Sequence, residues 1–137
     1  MKVEAWRFHQ MTLAATNLAT QGQAAAINQA TGKVVPMAAG TGFVFIGQFA
    51  ETVDATASGP LGAVDQPVNV DFLHERSIMW FANAGDITAA NIGSYSYFTD
   101  SQTVTAVATA HSKAGLILAV DATKGVAVAT ESLSAEV

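Results

Sequence analysis

The amino-acid sequence predicts an all-β domain: a compact small barrel or sandwich of short antiparallel strands and hairpins, with at most one or two short helical turns and an extended N-terminal arm. Three observations predict it. Three phrases share one shape, an apolar run, a short polar turn and a second run rich in valine: residues 27–35 (Ile-Asn-Gln-Ala-Thr-Gly-Lys-Val-Val), 97–107 (Tyr-Phe-Thr-Asp-Ser-Gln-Thr-Val-Thr-Ala-Val) and 119–128 (Ala-Val-Asp-Ala-Thr-Lys-Gly-Val-Ala-Val). Side chains alternate faces along a strand, and Asx, Thr and Gly supply the reversal, so each phrase reads as a β-hairpin. Apolar residues also alternate strictly in Val68-Asn69-Val70-Asp71-Phe72. Turn signals interrupt the chain so often that it holds short strands, roughly eight to ten of them, and no long helix.

Taken in order, residues 1–23 are rich in Ala, Thr and Gln and form an arm or a first strand; Trp6 and Phe8 fit one face of such a strand. Strands are expected at 24–28, 34–37 and 43–53, the last two separated by Gly40-Thr41-Gly42. Residues 54–67 contain Pro60 and Pro67, and proline donates no backbone hydrogen bond, so this span is a long loop. Loops of that length carry function or stay disordered, and contact with a neighbour is the function expected here. Val68, Val70 and Phe72 face the core. His74-Glu75-Arg76-Ser77 turns the chain, and Ile78-Met79-Trp80-Phe81 returns as its most apolar strand. Asp86 caps a single helical turn through Thr88, Ala89 and Ala90, which Gly93 stops. A meander follows at 94–99, 103–109, 116–121 and 126–130, and residues 131–137 form a polar, frayed tail. Period-two placement assigns Phe45, Val70, Phe72, Ile78, Trp80, Ile92, Tyr97, Val104, Leu118, Val120, Val126 and Val128 to the core. The whole of 1–137 reads as a single domain, and the uneven spacing of the three phrases argues against a solenoid.

Composition bounds the function. Only 12% of residues are charged, against about 25% in a typical soluble domain. Much of the 50% hydrophobic fraction is alanine, so the surface is largely Ala, Thr, Ser, Gln, Asn and Gly. Such a surface costs little to desolvate and suits burial against neighbouring copies. The net charge is -5 and the six Lys and Arg residues are scattered singly, which excludes a phosphate-tracking stripe and a polybasic lipid patch. The longest apolar stretches, near 43–46 and 116–120, are far too short to span a membrane. Charges among the first nine residues stand where a signal peptide needs an apolar core. The chain therefore reads as made in the cytoplasm, with neither nucleic acid nor membrane as partner.

Little in the sequence points to chemistry. The absence of cysteine removes disulfides, thiolate catalysis and sulfur-ligated metals. His9, His74 and His111 have no second ligand at metal spacing. His74-Glu75 opens like a zinc-peptidase helix, but Ile78 stands where the second histidine must be. His74 and His111 read as solvated turn residues. No nucleophile-elbow Gly-x-Ser-x-Gly occurs, and Gly40-Thr41-Gly42 leads into a β run rather than a phosphate-binding helix. Asp54, Asp65, Asp71, Asp86, Asp100 and Asp121 lie mostly in turns without calcium-loop spacing. The expectation is no catalytic residue, no metal, no cofactor and no enzyme. Candidate partner contacts are Trp6, Arg7 and Phe8 in the arm, Pro60 and Leu61 in the long loop, and His74, Glu75 and Arg76 in the turn. An arm with two large aromatics gains affinity by burying about 150–250 Å² for each on docking. Trp80 and Phe81, beside Met79, are expected in the core.

With those residues in view, the chain resembles the small capsid decoration, or cement, proteins of tailed bacteriophages over roughly residues 22–130. The resemblance rests on Ala-Thr-Gly-Lys-Val at 30–34, on Ala84-Gly85-Asp86-Ile87 running to Ile92-Gly93-Ser94-Tyr95-Ser96-Tyr97-Phe98-Thr99-Asp100, and on the closing phrase at 119–128. The 54–67 excursion and the Trp6/Phe8 start are not part of that pattern. It implies a structural virion protein that joins an assembled head from outside, as a homotrimer, with the major capsid protein and itself as partners and the capsid outer surface as its location. Two alternatives remain: another phage β domain, from a tail tube or baseplate, and a carbohydrate- or receptor-binding β module. The first would form hexameric rings; the second would carry aromatics on loops, whereas these lie mainly in strands.

Overall fold

A computed structural model describes residues 8–73 and 77–130. The chain is all-β, with one 3-10 turn as its only helical element among those residues. Strands β1 (Phe8–Leu13), β2 (Leu18–Ala19), β3 (Ala24–Asn28), β4 (Lys33–Pro36), β5 (Phe43–Phe49), β6 (Val53–Asp54) and β7 (Gln66–Phe72) come first. After the 3-10 turn within the second run come β9 to β12: the order is β8 (Ser77–Asn83), the turn Ala89–Asn91, β9 (Tyr95–Phe98), β10 (Thr103–Thr105), β11 (Lys113–Asp121) and β12 (Gly125–Thr130).

These strands close two barrels. The first has the order β1-β4-β3-β5-β7 and the second β10-β8-β12-β11-β9, while β2 and β6 form a separate pair. The three hairpin phrases appear as expected: β3 pairs with β4, β9 with β10 and β11 with β12, all antiparallel. Their turns are built from local polar chemistry. Asn28 Oδ1 accepts the Ala30 N–H at 3.0 Å, Asp100 Oδ1 the Gln102 N–H at 2.8 Å, and Asp121 Oδ1 the Thr123 and Lys124 N–H groups, each at 2.8 Å. Such Asx bonds offer the backbone a reversal in place of a continued ladder.

The two barrels are two copies of one topology. In each, the first strand runs parallel to the third (β1 with β4, β8 with β10), and every other neighbouring pair is antiparallel. The registers superpose residue by residue. Leu13 faces Val34 as Asn83 faces Val104, and the next residue of each first strand donates across the same gap, Ala14 N–H to Val34 O at 3.0 Å and Ala84 N–H to Val104 O at 2.9 Å. Gly22 N–H bonds Phe49 O at 2.8 Å as Gly93 N–H bonds Ile117 O at 2.9 Å. The two barrels also share one bulge, opposite Ala25 and Ser96, where Gly47 and Gly115 hold φ of +152° and +153°. A Cβ at either glycine would strike a backbone carbonyl of the adjacent strand, that of Asp71 or of Ala129. Only glycine meets both demands there.

Two buried clusters follow. One fills the first barrel with Leu13, Ala25, Val34, Ile46, Phe49, Val68 and Val70. The other fills the second with Phe81, Phe98, Val104, Ile117, Val126 and Val128, and also takes in Ala24, Ala26, Met37 and Phe45 from the first. Phe45 stands edge-on to Phe98, ring centroids 4.8 Å apart, and Phe81 packs edge-on to Phe98 at 5.2 Å. The junction adds the Ala24 N–H to Ser101 O bond at 2.9 Å, Ser101 Oγ to Gln23 Oε1 at 2.9 Å and Ser112 Oγ to Gly40 O at 2.8 Å. One shared core thus joins the halves.

Several expectations change. Phe45, Val70, Val104, Val126 and Val128 are buried, and Phe72 and Val120 pack partly buried against the clusters. Ile78, Trp80, Ile92 and Leu118, expected in the core, are exposed. In β8 both alternating sets are apolar, so period cannot choose between them; register makes Met79 and Phe81 the inner set. Leu118 sits in a bulge between Ile117 and Ala119, which interrupts the alternation, and Ile92 follows the 3-10 turn. Tyr97 is half-buried because Ser96 and Phe98 occupy the inner face of β9. The strand expected over 43–53 stops at Phe49 and resumes as β6; that over 103–109 stops at Thr105. Residues 68–72 and 78–81 do not pair with each other: they belong to different barrels, and the chain passes from one to the other between them. Thr88, not Asp86, caps the 3-10 turn, its Oγ1 accepting the Ala90 N–H at 3.3 Å while Asn91 Oδ1 accepts the Thr88 N–H at 2.8 Å.

Candidate interaction surface

Cross-strand partners lie on the same face of a sheet, so register assembles the outer surface of the second barrel. Trp80 opposes Ala127, which opposes Ala119; Ile78 opposes Ala129, which opposes Leu116, which opposes Tyr95. Four strands therefore present one apolar face. Ile78 is 58% exposed and Trp80 45%, while Ala127 beside the indole is 3% exposed. Trp80 forms a ridge between two open grooves, one lined by Gln21, Gly22, Gln23, Ser101 and Gln102, the other by Val120 to Gly125. Two cations sit at its rim: Lys124 Nζ lies 5.6 Å from the Trp80 ring centroid and Lys113 Nζ 4.2 Å from that of Tyr95. Contacts of this kind leave the ammonium groups partly hydrated and available to an anionic neighbour.

The predicted contact residues do not gather in one place. Pro60 and Leu61 lie exposed in the excursion, Leu61 at 67%. That excursion is braced. Asp54 Oδ1 accepts the Thr56 N–H at 2.9 Å, Gln66 Nε2 donates to Asp54 O at 3.0 Å, and Asp65 binds the Ala15 N–H at 2.8 Å and Lys33 Nζ at 2.6 Å. The Thr56 hydroxyl holds the Asp54 carboxyl below its ordinary range, and Lys33 does the same for Asp65. Phe8 opens β1, whose backbone pairs with β7 from Phe8↔Asp71 to Leu13↔Gln66, so residues 8–13 are a barrel strand rather than a free arm. The side chain of Phe8, together with Trp6, Arg7, His74, Glu75, Arg76 and the 131–137 tail, lies outside the described residues.

Titratable groups elsewhere serve the backbone. Thr105 Oγ1 donates to Asp86 Oδ2 at 2.6 Å and Ala106 N–H to the same oxygen at 3.1 Å, which holds the Asp86 carboxyl below its ordinary range. His111 is half-buried rather than solvated, and its Nδ1 has no hydrogen-bond partner among the described residues. Among those residues no group of three His, Cys, Asp or Glu is placed to hold a metal ion, and no helix is long and apolar enough to cross a membrane. Sequence reasoning missed the Trp80 face because it assigned that strand wholly to the interior; only its pairing with Ala127 and Ala129 shows which side faces out.

No family model, curated protein or solved structure matches the chain.

Proposed function

We propose that this chain is a decoration protein of a tailed-phage head, which joins the assembled shell from outside as a homotrimer and ties neighbouring major capsid subunits together. The observation that carries the reading is the apolar outer face at Ile78, Trp80, Leu116 and Tyr95 on a barrel whose own core is already closed. A solvent-facing apolar surface of that extent marks a contact with another protein. The low charge of the chain, and the resemblance of its turn and core phrases to those of cement proteins, support the same reading. Multiple weak contacts over several shell subunits would add through avidity. Mixing the purified protein with undecorated heads, followed by co-sedimentation and negative-stain microscopy, tests it. Saturable binding and heads more resistant to heat are expected. Absence of binding together with hexameric rings in the free protein would favour a tail-tube role instead.

A further inference from the structure

Because the two barrels share one skeleton, each is a control for the other. The registers place Trp80 where the first barrel has Gln10, Leu116 where it has Gln48, and Ala127 and Ala129 where it has Asn69 and Asp71. All of these point outward by register. The flanking positions Ile78 and Tyr95 answer to Phe8 and Ala24, but in the first barrel the four central positions are polar, and Gln48 Nε2 donates to Asp71 Oδ2 at 3.5 Å. In the second barrel the same positions read Trp, Leu, Ala, Ala. The skeleton closes with either set, so the apolar one is there for something other than closure.

The reverse asymmetry appears at one loop. Sixteen residues separate Phe49 from Gln66, whereas six separate the equivalent Ile117 and Lys124. The extra length carries Leu61 at 67% and Val64 at 47% exposure, on a base held by Asp54 and Asp65 and stiffened by Pro60. A braced apolar tip loses little freedom on docking. Charge matches too. Residues 8–73 hold Lys33 against Glu51, Asp54, Asp65 and Asp71, one minus four, a formal -3. Residues 77–130 hold Lys113 and Lys124 against Asp86, Asp100 and Asp121, two minus three, a formal -1, with both lysines at the rim of the apolar face.

We propose that copies of this chain join head to tail, the 59–64 tip of one seating Leu61 and Val64 against the Trp80 face of the next. The inference rests on the self-association half of the reading above and supplies its contact; it is independent of what the assembly binds. A symmetric pairing of two Trp80 faces would set Lys113 and Lys124 against their own kind at one rim, where like charges oppose association. A tip on one half and a seat on the other make a heterologous contact, which closes into a ring when the rotation allows.

Sedimentation velocity on the full chain tests this with Leu61→Asp and Trp80→Gln, the latter installing the first barrel's residue. Each variant alone should lose assembly. An equimolar mixture should regain a dimer, because one intact tip and one intact seat remain. Ile78→Gln, at another exposed position of the face, replaces Trp80→Gln if the latter loses the wild-type circular dichroism spectrum. Since the chain has no cysteine, a Leu61→Cys/Trp80→Cys double variant should also give a ladder of disulfide-linked multimers. A monomeric wild type, assembly that survives both variants, or a mixture that stays monomeric would each overturn the contact. Head co-sedimentation run in parallel separates the two ideas: monomers that bind heads defeat this inference and the trimer but leave capsid binding standing, and rings that ignore heads defeat only the capsid reading.

Discussion

At the positions of the Trp80 face the first barrel carries Gln10, Gln48, Asn69 and Asp71 and extends one loop; the second keeps that loop short and makes those positions apolar. Beneath the difference several inner residues are the same. Val34 and Val104, Val68 and Val126, and Val70 and Val128 occupy equivalent positions, all buried. What the skeleton demands is a largely apolar inner face, tight Asx turns and a glycine at the shared bulge. Everything facing outward is left free to acquire a role. The comparison separates residues that build the fold from residues that use it, within one molecule and without reference to any other.

The largest effect expected is at the shared core. Phe98→Ala removes a fully buried ring that packs against Phe45 and Phe81 and should cost about 3–5 kcal/mol. Chemical denaturation should show both halves losing structure in one transition; two separated transitions would mean that the barrels are independent after all. Gly47→Ala and Gly115→Ala come next. Each forces a Cβ into a carbonyl at positive φ and should destabilise by about 2–3 kcal/mol, to a similar degree. Unequal costs, measured by urea midpoint, would break the equivalence of the two bulges.

Smaller effects sharpen the contrast between the faces. Trp80→Gln should change the stability of the unassembled chain by less than about 1 kcal/mol, as expected for an outward-facing side chain whose polar counterpart the first barrel already tolerates. A loss comparable to Phe98→Ala would return Trp80 to the core. The smallest concerns acid. Thr105 donates to Asp86 and lowers its carboxyl pKa from the ordinary 3.8. A depressed carboxylate stabilises the folded state fully above the unfolded value and loses that contribution as pH falls through its folded value. Asp86→Asn should therefore lower the neutral thermal midpoint slightly, leave the midpoint in strong acid near the wild-type value, and so flatten the acid limb below about pH 4. The positions equivalent to Asp86 and Thr105 in the first barrel are Thr16 and Val35, so no matching limb is expected from there.

The hairpins and the all-β class were legible because turn chemistry and period two are local signals. The duplication was not, although the phrases already contained it. The phrases at 27–35 and 97–107 are the same hairpin in the two barrels, and the phrase at 119–128 is the second barrel's β11–β12 pair. Its counterpart, β5 with β7, is split by the excursion, so the sequence shows three phrases where the fold has four. Even spacing was lost with that insertion, and outer residues diverged as Trp80 did from Gln10. The Trp80 face stayed hidden for another reason. A strand apolar on both sides carries no information about which side is inside until its partners fix the register.

The aromatic junction has a consequence for the order of synthesis. A chain emerging from the ribosome delivers the strands of its first barrel before Phe81 and Phe98 exist. Until then Ala24, Ala26, Met37 and Phe45 have nothing to cover them, and the Ala24 N–H has no Ser101 carbonyl to meet. The half-made protein therefore exposes a bare aliphatic and aromatic surface for as long as translation of the remaining strands takes, and folding intermediates of that kind are where aggregation begins. A truncation ending after β7 should consequently collect in the insoluble fraction, even though every strand of its barrel is present.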